Sequence, residues 1–156
     1  MKVIIGADQG AFPQKAAIVE HLQSRGIEVD DYGVFNTDSF DYPDIALPVA
    51  KDVAAGKCDF GILMCGTGIG VSLAANKVPG IRAAVTPTVE FGQLAKNHNN
   101  ANIICLSGRF VDEQTNIAIV DAFIDTQFAG EDGTEAGQRH ARRVNKIMQI
   151  EKDFGR

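Results

Sequence analysis

Cys65 is the residue around which chemistry can be organised. It closes the apolar run Phe60-Gly-Ile-Leu-Met-Cys65 and opens Gly66-Thr67-Gly68-Ile69-Gly70. An apolar run of strand length stopped by three glycines on alternate positions reads as a buried strand turning into a helix. Gly66, Gly68 and Gly70 let several backbone N–H groups point at one bound oxygen, and the helix that follows adds its positive end to the same spot. A thiol placed there is in a setting that favours the thiolate, so a base and an anion-stabilising loop would share one turn. The plainer reading of the same residue is a packed, inert cysteine. A dinucleotide site fits less well: the spacing is G-x-G-x-G, the strand is not the first in the chain, and no acidic residue ends the next strand at the offset of a ribose contact.

Other residues with chemical potential are scattered. Arg139 and Arg143 lie four apart in a helical stretch, so they share a face, with Arg142 beside them. With Arg109 from a strand end they form a set suited to phosphate, although a solvated basic face is the simpler alternative. His98, followed by Asn99, could exchange a proton near neutral pH or simply cap a helix. Asp8 could orient a substrate hydroxyl or make an Asx-turn. His21 and His140 look peripheral, and Cys58 and Cys105 look structural. The Cys, His and carboxylate spacings match no metal site, so chemistry without a metal or other cofactor is expected.

These residues need a frame, and the apolar periodicity provides one. Strands are predicted over 3–6, 27–32, 60–65, 81–85 and 101–106, alternating with helices over 13–25, from a start at 41–44 to just before Gly56, from the glycine turn through 76, and over 89–97, 115–128 and 138–153. Polar loops are expected over 33–41 and 129–137. That alternation implies a three-layer αβα sandwich around a doubly wound, Rossmann-like, mostly parallel five-stranded sheet, with right-handed crossovers. Ligands of such sheets sit beyond the carboxyl ends of the strands. The turns carrying Asp8 and Gln9, Cys65 to Gly70, Thr86, and Arg109 are therefore expected along one edge.

The 156 residues fit one domain with a full core. A net charge of −5, with basic residues clustered only near the C-terminus, argues against nucleic-acid or membrane partners. Three cysteines without metal spacing suit a reducing compartment. The first residues are too short in apolar length for a signal peptide, and nothing approaches the roughly 20 apolar residues of a membrane span. A cytoplasmic location is expected.

Taken together, Asp8, Cys65-Gly-Thr-Gly-Ile-Gly70, Ala74-Ala-Asn-Lys-Val-Pro-Gly-Ile-Arg82-Ala, His98-Asn99 and Arg139-His-Ala-Arg-Arg143-Val make the whole chain resemble the type B ribose-5-phosphate isomerase family, which includes galactose-6-phosphate and allose-6-phosphate isomerases. The resemblance implies metal-free aldose–ketose isomerisation of a phosphorylated sugar through a cis-enediol. It also implies a homodimer, with a tetramer of paired dimers as the alternative assembly, active sites shared between subunits and the helix at about 138–153 in the dimer contact. By the resemblance, Cys65 is the base, Thr67 and the backbone of Gly66, Gly68, Ile69 and Gly70 hold the enediolate oxygens, and His98 opens the ring. Asn99 and Asp8 contact sugar hydroxyls, and Arg109, Arg139 and Arg143 bind phosphate. Gln9 stands where the family's ribose enzymes commonly have a phosphate-binding histidine, and a neutral amide brings no cationic contribution. The 129–137 loop also looks longer than usual, and Thr86-Pro87-Thr88 is an uncommon form of its turn. Another sugar phosphate (of a tetrose, hexose or deoxy-sugar) or a free sugar is thus an alternative substrate. A non-catalytic phosphosugar-binding subunit and a flavodoxin-like nucleotide binder are alternatives of other classes.

Overall fold

A computed structural model describes residues 1–33 and 38–155; the centre of the loop expected over 33–41 lies outside the described residues. The strands are β1 (Lys2–Ala7), β2 (Glu28–Asp31), β3 (Phe60–Cys65), β4 (Ala83–Val85) and β5 (Ile103–Ser107). The helices are α1 (Phe12–Ser24), α2 (Tyr42–Ala54), α3 (Ile69–Ala75), α4 (Val89–Asn99), α5 (Glu113–Ile124) and α6 (Glu135–Asp153). All strand pairings are parallel, in the order β2-β1-β3-β5-β4.

The central strands are apolar on both faces because both faces are covered. In β3, Phe60, Ile62 and Met64 pack with Ile18 and Leu22 of α1, Ala95 of α4 and Ile119, Val120 and Phe123 of α5. Leu63 and Cys65 point the other way, into Val49, Ala50 and Val53 of α2 and Val71 and Ala75 of α3. Gly61 belongs to this second face, where a Cβ would come within 2.9 Å of Val53.

Three differences from the expected elements matter. The fourth helix continues through His98 and Asn99 rather than stopping before them, and Asn100 ends it in the left-handed conformation, φ 44°. The last helix begins three residues early, at Glu135, because the Thr134 hydroxyl caps it by accepting from the Gly137 N–H. The 129–137 segment contains a single 3-10 turn, Ala129–Glu131. Along the edge strand β4, the Asn76 side chain accepts from the Ala83 N–H and donates to the Ala83 carbonyl, substituting for a neighbouring strand and blunting that edge.

Candidate active site

The sheet reverses its winding between β1 and β3, and the loops leaving their carboxyl ends meet in the crevice this creates. Gly10 lies against the Gly66 backbone, where a Cβ would meet the Gly66 nitrogen at 3.2 Å. The loop after β5 is tied to the same place: the N–H groups of Gly108 and Arg109 donate to the carbonyls of Cys65 and Gly66, at 2.9 and 3.2 Å. The Ser107 hydroxyl donates to Gly66 O (2.8 Å) and accepts from the Phe110 N–H (3.0 Å). Behind this loop the Asn116 amide donates to Ser107 O and to Gln14 Oε1, while Gln14 Nε2 donates to Gly108 O and Val111 O. Arg109 is held by this buried network, and its guanidinium stem lies over Gly66, 3.2 Å from where a Cβ would be.

Cys65 ends β3 and is only 5% exposed. The Gly68 N–H donates to its Sγ at 3.2 Å, so a donor is already in place for the negative charge that deprotonation leaves on sulfur. Gly68 makes this possible with φ 77°, and a Cβ there would meet Cys105 O at 2.9 Å. Replacing Gly68 with alanine is expected to cost about 1–3 kcal/mol through backbone strain and this clash, read as a lower urea midpoint. The exposed Thr67 accepts from the Ile69 N–H through its hydroxyl, at 3.2 Å. Gly70 and Val71 start the helix too early to have an intrahelical acceptor for their N–H groups. Gly70 also serves packing, because the Tyr42 ring would sit 2.8–3.0 Å from any Cβ there. Neighbouring Cys105 is fully covered, and burial pushes its thiol well above the usual range.

Asp8 Oδ1 accepts from the Gly10 N–H at 2.7 Å, an Asx-turn at the crevice. Burial raises its carboxyl above the ordinary value, opposed by the Gly10 N–H and by Arg109. A carboxyl whose folded value lies above its unfolded one contributes most stability below the unfolded value and loses it as pH rises through the folded value. Asp8→Asn keeps the Asx-turn acceptor and removes the charge. Its melting temperature relative to the unmodified chain is therefore expected to improve from pH 4 to pH 7, while activity falls. Gln9 is already engaged: its Oε1 accepts from the Phe40 N–H at 2.9 Å.

Asp8 and Gln9, the Cys65–Gly70 turn, Thr86 and Arg109 follow the carboxyl ends of β1, β3, β4 and β5, so these turns share one edge of the parallel sheet, as expected. Thr86 lies at that edge as a covered residue, only 1% exposed. More important, α4 leaves the carboxyl edge and returns to the amino edge, where Lys96 lines a cavity with Met1, Asp59 and Phe60. His98 and Asn99 therefore lie across the sheet from Cys65, a separation on the order of the ~17 Å length of a six-residue strand. Arg139 and Arg143 are on the same far side, because α6 runs from α4 to the start of β4. Its Glu151 carboxylate accepts from the Gly80 N–H, and its Met148 sulfur accepts from Arg82. His140 is not peripheral: its ring stacks on that of His98, with centroids 4.2 Å apart and planes 8° from parallel. The candidate residues thus fall into two groups. One, at the carboxyl edge, holds Asp8, Gln9, Cys65 to Gly70 and Arg109; the other, at the amino edge, holds His98, Asn99, Arg139 and Arg143. No motif pointed to Ser107, Gln14 or Asn116, or to the role of His140.

The profile of the Ribose/Galactose Isomerase family matches residues 3–147. The ribose-5-phosphate isomerase B of Escherichia coli K12 is 42% identical over 150 residues, covering 96% of each chain. The Clostridium thermocellum ribose-5-phosphate isomerase B structure superposes with a TM-score of 0.92 at 45% identity, covering 99% of this chain and 100% of the other. The Mycoplasma genitalium ribose-5-phosphate isomerase B, solved with bound ribulose-5-phosphate, gives 0.87 at 42% identity, covering 97% and 96%. Agreement of sequence and backbone over nearly the full length places the chain in the ribose/galactose isomerase family.

Proposed function

We propose that the chain is an aldose–ketose isomerase that interconverts ribose 5-phosphate and ribulose 5-phosphate. The observation that carries this reading is Cys65 Sγ facing the Gly68 N–H in the crevice between β1 and β3. Moving a carbonyl from C1 to C2 needs a base that can take a proton from one carbon and return it to the other, and donors waiting for the enediolate charge. Cys65 is the base. Thr67 and the N–H groups of the 66–70 turn hold the two oxygens, Asp8 and Asn99 hold sugar hydroxyls, and Arg109, Arg139 and Arg143 take the phosphate. His98 donates the proton that opens the ring.

Two half-sites on opposite edges of one chain become a whole site when a second copy brings its amino edge to the first copy's carboxyl edge. A two-fold dimer does this twice. Uncovered apolar side chains support such a contact: Ile69 and Leu73 on α3 are 55% and 63% exposed, and Ile150 on α6 is 57% exposed. The dimer works in the cytoplasm as a single-domain subunit.

Gln9 favours a second reading within the same reaction class. Its amide is neutral and engaged by Phe40, so the phosphate end is read by arginines alone, and a sugar phosphate of another length or configuration is the alternative substrate. Turnover on a panel of C4 to C6 aldose phosphates decides between them. Highest kcat/KM on ribose 5-phosphate supports the first reading; a clear preference for another sugar supports the second. Binding with no turnover on any of them replaces both with a phosphosugar-binding subunit.

A further inference from the structure

His98 and His140 are stacked nearly parallel, and His140 is 8% exposed in the seam between α4 and α6. Two imidazolium rings in this arrangement would repel, so the pair holds at most one proton comfortably. The charged groups facing His140 come from three elements. Arg139 and Arg143 are on its own helix, at the preceding position and one turn on; His98 is on α4; and Asp132 follows the 3-10 turn. Burial, His98 and the two arginines all push the His140 ring below its ordinary value, and only Asp132 opposes them. In the free chain the arginines therefore discourage protonation of His140.

We propose that the His98–His140 pair takes up one proton when a tetrahedral dianion docks on Arg139 and Arg143, so that arrival of the substrate's phosphate readies His98 to open the sugar ring. The inference rests on the assignment of the phosphate to these arginines and of ring opening to His98. The proton comes from solvent as the guanidinium charges are neutralised. His98 then passes it to the ring oxygen while the C1–O bond breaks and the anomeric hydroxyl releases its proton to solvent, returning the pair to its neutral state. His140 is a positioning residue here: it fixes the plane of the His98 ring and connects it electrostatically to the anion-binding helix.

The test uses the intact protein and sulfate, a tetrahedral dianion that does not itself titrate near neutral pH. Histidine ring resonances are followed by NMR from pH 5 to 8 with and without saturating sulfate. The titration midpoint of the pair is expected to move up by about half a pH unit or more with sulfate, with His21 as an internal control that does not move. In the Arg139→Gln/Arg143→Gln variant the sulfate-dependent shift is expected to vanish. A midpoint unchanged by sulfate in the unmodified protein overturns the proposal, as does a shift that survives loss of both arginines. No turnover is measured, so failure of the isomerase assay and failure of this coupling are separate results.

Discussion

Cys65→Ala is expected to lower isomerase turnover by at least about 100-fold, the scale of a positioned acid or base, while sugar-phosphate binding persists. Cys65 is the thiol in the β1–β3 crevice, with the Gly68 N–H aimed at its sulfur, and alanine leaves the Gly66–Gly70 turn and Arg109 in place. The phosphate contacts act equally in ground and transition states, so the loss should fall on kcat rather than KM. The direct readout is exchange of the C1 hydrogen of ribulose 5-phosphate with deuterated water. A ketopentose carrying phosphate on O5 has no hydroxyl free to close a five-membered ring, so this exchange bypasses ring opening and reports the base alone. An alanine variant that folds, dimerises and still exchanges at the original rate removes Cys65 from the mechanism.

Mixing two inactive variants is expected to restore activity. Cys65→Ala destroys the carboxyl-edge half-site and His98→Gln the amino-edge half-site, so each homodimer has two damaged sites. After subunits are exchanged at equal concentration, half the dimers are mixed. Each mixed dimer has one site that carries both lesions and one that carries neither, so recovery should approach about a quarter of the unmodified activity in a two-fold assembly. The measurement is turnover before and after exchange, with assembly followed by light scattering. If the two variants regain nothing although mixed dimers form, the site is not built from two subunits and the separation of His98 from Cys65 needs another explanation. The same experiment with Arg143→Gln in place of His98→Gln asks whether the phosphate arginines also reach across.

The Gly68 variant probes the scaffold and the Asp8 variant the substrate contact. Gly68 allows a backbone turn that presents its N–H to sulfur, and Asp8 is a buried carboxyl held by its own Asx-turn. Stability measured with activity separates these roles: Gly68→Ala should lose both, whereas Asp8→Asn should lose activity and retain or gain stability near pH 7.

Much of the molecule was legible in the order of its residues. The alternation of apolar strands and amphipathic helices specified the layered parallel sheet, because burial on both faces of a parallel strand leaves a run such as 60–65. The strand–turn–helix around Cys65 was legible for the same local reason: glycines on alternate positions have few other uses at a strand end. Arg139 and Arg143 were placed on one helix face by their spacing alone. Helix ends were less legible. His98 and Asn99 lie within α4 because the chain reverses only at Asn100, and the last helix starts early because Thr134 caps it.

Only the tertiary structure decided how these local pieces meet. It put Cys65 and His98 on opposite edges of the sheet, stacked His140 on His98, and set the Tyr42 ring against Gly70. It also assembled Gln14, Asn116 and Ser107 into the network that holds the Arg109 loop. The physical reason is the range of the forces involved. Periodicity and turn chemistry act over a few residues and set what each segment becomes, whereas the meeting of distant side chains follows from strand order and from how the helices close over the sheet.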